Sequence, residues 1–168
     1  MKEFVVVRSA LKVIIAMLFL TGVTLAWAET WTAQGSEWTH PLGLSIQKPA
    51  GTQVTANGNG LDIRASKAGG FVISVYATSS KAKAEKGVTV LRDGISQTWK
   101  IQWGSSQQEQ LGEYVMYFYE AFGTQKEVRR KIRVGHISNG LKYLAFLFVC
   151  SPDEEPKVIE TLATVKFP

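Results

Sequence analysis

Between Tyr114 and Cys150, apolar side chains occupy odd and even positions alike. Tyr114, Met116 and Phe118 share one side of an extended chain, while Val115, Tyr117 and Tyr119 share the other. Further on, Leu144, Phe146 and Phe148 oppose Tyr143, Ala145, Leu147 and Val149. The pattern predicts three strands, Tyr114–Phe122, Val128–Ile137 and Lys142–Cys150, the last two joined by a tight type I′ turn at Asn139-Gly140. An antiparallel strand with one wet face alternates apolar and polar residues, so strands apolar on both sides need cover on both.

Two segments have the period to supply that cover. Val88, Leu91, Ile95 and Trp99 recur at spacings of three and four, which predicts a helix over Val88–Trp103. The Lys-rich segment Lys81–Lys86 reads either as its first turns or as a solvated loop, and Gly87 and Gly94 each cost about 1 kcal/mol within a helix. Glu154–Leu162 is the second helix, with Val158, Ile159 and Leu162 as its stripe, Asp153 as its cap and Pro156 tolerated in its first turn.

Ahead of these lie short strands at Leu44–Lys48, Leu61–Ala65 and Phe71–Tyr76, separated by Pro49 and by glycines 58, 60, 69 and 70. Glu29–Pro41 reads as a polar lead-in pinned by an indole, and Val165 and Phe167 as a last strand or apolar tail. The expected fold class is α+β, a central antiparallel sheet flanked by helices on both faces. Its expected core contains Leu44, Ile46, Phe71, Ile73, Leu91, Ile95, Trp99, Phe118, Leu144, Phe146 and Phe148.

The start of the chain follows a different rule. Lys2, Arg8 and Lys12 precede an uncharged run from Val13, which closes with Ala26-Trp27-Ala28. A basic start, an apolar run and a small-x-small end are the parts of a secretory signal peptide, here residues 1–28. The alternative is a retained anchor, although the run falls short of the ~20 residues that span a bilayer comfortably. Residues 29–168 then form one exported domain, periplasmic or extracellular. Without the three basic residues and one acidic residue of the leader, 16 Lys+Arg face 13 Asp+Glu, a net charge of +3. That balance argues against nucleic acid as a partner. A single cysteine, Cys150, excludes an intrachain disulfide.

Candidate chemistry is sparse. His40, His136 and Cys150 lack the short spacings of a metal site. No Gly-x-Ser-x-Gly elbow is present, Gly58-x-Gly60 lacks the context of a phosphate loop, and no cofactor is implied. Cys150 ends an apolar strand as a buried thiol, and Glu109, Glu113 and Asp62 read as solvated charges. The exception is basic: Arg129, Lys131 and Arg133 share one strand face, about 7 Å apart at each step. Such a row could meet an envelope protein or an anionic lipid surface. Equally, it could be the charged protection of an edge strand.

The order of elements resembles the PsbP-like superfamily of small α/β/α sandwiches. The matching residues are Leu44–Gly51 (LSIQKPAG), Phe71–Tyr76, the Val88–Trp103 helix, and the closing Ser151-Pro152, Val158–Leu162 and Val165-Lys166-Phe167. Thr52 stands where the superfamily often has Trp. The resemblance implies a binding, assembly or accessory role and brings no catalytic residues with it. The competing expectation is a small hydrolase-like enzyme whose site is assembled from distant residues. It requires His40 or His136 beside a Ser, Cys150 or a carboxylate at about 3 Å. For export, intact-mass measurement of the envelope form is expected to give a chain beginning at Glu29; the mass of all 168 residues would establish the anchor instead.

Overall fold

The computed structural model describes residues 30–67, 70–99, 101–125 and 128–168; the expected signal, residues 1–28, lies outside the described residues. In chain order the elements are β1 (Thr32–Gln34), β2 (Glu37–Thr39), β3 (Ser45–Gln47), β4 (Thr52–Asn57), β5 (Gly60–Ala65) and β6 (Val72–Thr78). Helix α1 (Lys81–Trp99) follows, then β7 (Gln107–Leu111), β8 (Tyr114–Gln125), β9 (Val128–Ser138) and β10 (Tyr143–Cys150). A 3-10 turn at Pro152–Glu154 leads into α2 (Glu155–Ala163). The fold is α+β and mainly antiparallel sheet: a seven-stranded sheet ordered β4-β5-β6-β10-β9-β8-β7, and a three-stranded sheet β1-β2-β3.

Strand β10 lies between β6 and β9, and its side chains divide by parity. Leu144, Phe146, Phe148 and Cys150 join one buried cluster with Leu44, Ile46, Val158 and Leu162. Ala145 and Leu147 join another with Val88, Leu91, Ile95, Ile132 and Val134. The cover beside Phe146 is a composite of β3, α2 and the chain end, because Lys166 bridges Ser45 and the Thr164 hydroxyl accepts the Gln47 N–H at 2.9 Å. Trp31 anchors the first hairpin to the large sheet by donating its indole N–H to the Asn59 carbonyl at 2.9 Å. The expected lead-in is thus a hairpin of its own.

Helix α1 starts earlier than its apolar stripe. Ser80 Oγ accepts the Lys83 N–H at 3.3 Å, so Lys81–Lys86 forms the first turns. It also ends earlier, at Trp99, after which Trp103 doubles back to donate its indole N–H to Ser96 Oγ at 2.7 Å. Asp153 does not cap α2, whose N-cap Glu154 makes no side-chain cap bond. The β9–β10 loop is longer than a two-residue turn: Ser138 pairs with Tyr143, and Asn139 Oδ1 accepts the N–H groups of Leu141 and Lys142 at 3.0 and 2.9 Å. That side chain replaces the backbone bond of a tighter turn. Glu109, expected to be a solvated charge, stands on strand β7 and pairs with Arg133.

Two-sided cover is confined to the middle of the sheet. Seven strands span roughly 29 Å, whereas one helix is about 10 Å wide. Helix α1 packs on β6, β10 and β9. On the same face, β5 and β6 turn polar, with the Ser74 hydroxyl donating to Asp62 at 2.6 Å and Arg64 to the same carboxylate at 3.0 Å.

Arg129, Lys131 and Arg133 of β9 lie on the Phe148 side, whereas Arg130 has the opposite parity and is buried on the side of Ile132 and Val134. Strand β9 pairs with both β8 and β10, so the edge-strand explanation of its charges fails. Arg133 reaches Glu120 at 2.7 Å, Glu155 at 3.0 Å and Glu109 at 3.2 Å. Lys131 reaches Glu155 at 2.8 Å and Glu120 at 3.1 Å. The Arg133 guanidinium also lies over the Phe118 ring, 4.4 Å from its centre. Through Glu155 this network joins the start of α2, where a carboxylate also suits the helix dipole, to β8 and β9.

Burial alone would push the Glu120 carboxyl up, but hydrogen bonds and charge from Arg133 and Lys131 outweigh it and hold the group below its ordinary range. A depressed folded-state value contributes stability that is full above the unfolded value, about 4.3, and is lost as pH falls through the folded value. Glu120→Gln is expected to lower stability at pH 7 by about 1–3 kcal/mol and to flatten the acid limb, read by urea unfolding across pH 3–7 (approximate window set by the same carboxylate range). Cys150 is fully buried, and burial, reinforced by Glu155, raises its thiol to about 12. Its labelling by a thiol reagent is therefore expected to track global unfolding in urea; rapid labelling of the folded protein would contradict this burial.

Candidate functional site

Because α1 leaves β8 uncovered near the start of the helix, a cleft opens there over the sheet. Its volume is about 660 Å³, within the range of roughly 300–1,000 Å³ in which small ligands are held. Strand parity supplies its wall. Tyr117 of β8, His136 of β9 and Tyr143 of β10 stand on the α1 face of three adjacent strands, with Tyr117 directly opposite His136. The Tyr117 and His136 rings stack with centres 5.3 Å apart at 26°, and His136 meets Tyr143 at 6.0 Å. Tyr117 remains 42% exposed, an apolar ring held open to solvent.

Two further features shape this wall. A Cβ on Gly135 would collide with the Tyr117 carbonyl, so glycine permits the close approach of β8 and β9 next to the stacked pair. Tyr119, two residues along β8, carries the Arg92 guanidinium over its ring at 4.7 Å, which fills the space nearer the middle of α1. Across the cleft α1 contributes Lys81 and Glu85, 3.7 Å apart. Burial lowers the His136 value, and Glu85 opposes while Lys81 reinforces that shift; the imidazole is neutral at pH 7.

The residues singled out from sequence are dispersed. His136 lines the cleft, and its partners among the described residues are the two tyrosine rings, with no serine, cysteine or carboxylate hydrogen-bonded to it. His40 is buried elsewhere, against Trp31 at 5.2 Å, with Nδ1 accepting the Leu42 N–H at 3.1 Å. Cys150 faces the opposite side of the sheet in the cluster with Phe148. Among the described residues no cluster of His, Cys, Asp or Glu is placed to hold a metal, and no helix is long and apolar enough to cross a membrane.

The basic row does not present three free charges. Lys131 and Arg133 are engaged by carboxylates, whereas Arg129 is exposed, its guanidinium 4.1 Å from the centre of the exposed Phe122 ring. The tyrosines were the signal that sequence reasoning passed over. In sequence Tyr117, Tyr119 and Tyr143 read as apolar face residues, and the signal that would single them out is that one helix, about 10 Å wide, cannot cover seven strands.

No family model matches the chain, and no curated protein matches it in sequence. Solved structures do. A protein of Bacteroides thetaiotaomicron is similar with a TM-score of 0.54 at 9% identity, covering 85% of this chain and 49% of that one, so the chain spans about half of its length. Cyanobacterial PsbP (CyanoP) from Synechocystis is similar with a TM-score of 0.52 at 12% identity, covering 89% and 99% of the two chains. LpqN of Mycobacterium tuberculosis, described as involved in cell envelope biogenesis, gives a TM-score of 0.44 at 10% identity, covering 75% and 84%. The chain shares its fold with PsbP.

Proposed function

We propose that this chain acts outside the cytoplasm as a non-catalytic binding or accessory protein of the cell envelope, an α/β/α sandwich that engages its ligand through the aromatic cleft beside α1. The observation that carries the reading is the wall of Tyr117, His136 and Tyr143 on three adjacent strands, with the Tyr117 ring exposed to solvent and its two neighbours half-buried beside it. Aromatic side chains offer a large contact area with few torsions to freeze, and a hydroxyl at the rim. Export rests on the leader pattern of residues 1–28. The row Arg129, Lys131 and Arg133 belongs to the proposal only through Arg129, since its two companions already hold Glu120 and Glu155.

The test uses purified chain and isolated envelope fractions from the parent cell. Wild-type protein is expected to co-sediment with the envelope, and a Tyr117→Ala, Tyr143→Ala double variant to lose that association about tenfold, equivalent to 1.4 kcal/mol. Arg129→Ala is expected to lose less, in proportion to one exposed charge. Equal sedimentation of wild type and double variant, with matching thermal unfolding, would remove the cleft from the function.

A further inference from the structure

We infer, resting on the reading of this cleft as the binding site, that its ligand is a neutral saccharide. The argument proceeds by the chemistry the wall offers and refuses. Tyr117 and His136 already stack on each other at 5.3 Å between centres. A flat conjugated ligand inserted between two rings needs a slot of about 7 Å, twice an ordinary contact distance. An added peptide strand needs unpaired backbone groups, but the floor of the cleft consists of β8, β9 and β10 in continuous antiparallel register. Edge pairing is therefore closed at this place.

An anionic ligand is also poorly served. The fixed charges at the rim, Lys81 and Glu85, are of opposite sign and 3.7 Å apart, and His136 is neutral. A strongly apolar ligand would need enclosure, while this cleft is open and edged with hydroxyls from Thr89, Ser106 and Ser138. A pyranose fits what remains. Its C–H face is apolar and lies flat on an exposed ring such as that of Tyr117, while its hydroxyls exchange hydrogen bonds with the rim. Tyr117 on β8 and Tyr143 on β10 are separated by β9, about 10 Å across the sheet at ~4.8 Å per strand, and so provide two separate contacts along a short glycan.

The experiment titrates the folded chain with three neutral trisaccharides, chitotriose, cellotriose and maltotriose, while NMR follows the side chains of Tyr117, His136 and Tyr143. At least one is expected to shift these rings with a dissociation constant of about 1 mM or tighter, insensitive to added salt. Tyr117→Ala is expected to weaken binding about tenfold, and Tyr117→Phe, which keeps the ring, by about threefold or less. Inorganic phosphate, an acidic peptide and anionic vesicles are the comparison probes. If one of those shifts the cleft and no saccharide does, the saccharide assignment is overturned and the binding cleft stands. Saccharide shifts unaffected by Tyr117→Ala would likewise overturn the assignment. If no probe shifts the rings, the assignment falls, and the envelope sedimentation of the double variant decides whether the cleft itself falls with it.

Discussion

Strand β10 has to bury side chains on both faces at once, and the remaining architecture answers that demand. Leu144, Phe146 and Phe148 on one side and Ala145 and Leu147 on the other are all but inaccessible to water. Burying one large apolar side chain stabilises by about 1.5–3 kcal/mol, so neither face can be left open. The strand is therefore internal, between β6 and β9, with α1 above it and a composite of β3, α2 and the chain end below. Away from β10 the demand relaxes. On the α1 face, β5 and β6 turn polar around Asp62 and Ser74, while β8 retains exposed tyrosine, and a usable surface arises beside the first turns of the helix, where its cover stops short of β8.

Much of this was legible because two-sided apolar strands and a 3.6-residue stripe are strong signals. The expected core residues from Leu44 to Phe148 are buried, with Trp99 only partly so. What was missed has local causes. The strands β1, β2 and β4 are largely polar and pair with their sequence neighbours as local hairpins, so no apolar run marks them. Asn139 spends its side chain on two backbone N–H groups, a choice that the Asn-Gly pair does not reveal.

The site was less legible than the fold. Parity put Arg129, Lys131 and Arg133 on one face, but could not tell that Glu120, across the strand pair, and Glu155, at a helix start 24 residues beyond Lys131, would converge on Lys131 and Arg133 while leaving Arg129 exposed. A charge row looks the same in sequence whether it meets solvent or carboxylates. The cleft required two facts that no local window contains: which strands adjoin, and how far α1 reaches across them. His136 acquires its tyrosine neighbours through strand pairing, with Tyr117 lying 19 positions earlier.

The ion network under Arg133 also acts as a key to strand alignment. Side chains in a strand alternate, so sliding β9 by one position would exchange its two faces. Arg133 and Lys131 would then lie beneath α1 against Leu91 and Ile95, and Ile132 would occupy the place among Glu120 and Glu155. Apolar residues on both sides of β9 would tolerate that error with modest loss, since one oily contact resembles another. A buried cation without its carboxylate would not, because stranding such a charge costs several kcal/mol. The paired charges thus add to the cost of the nearest incorrect alignment, a form of proofreading carried by Lys131 and Arg133 on a single face of one strand.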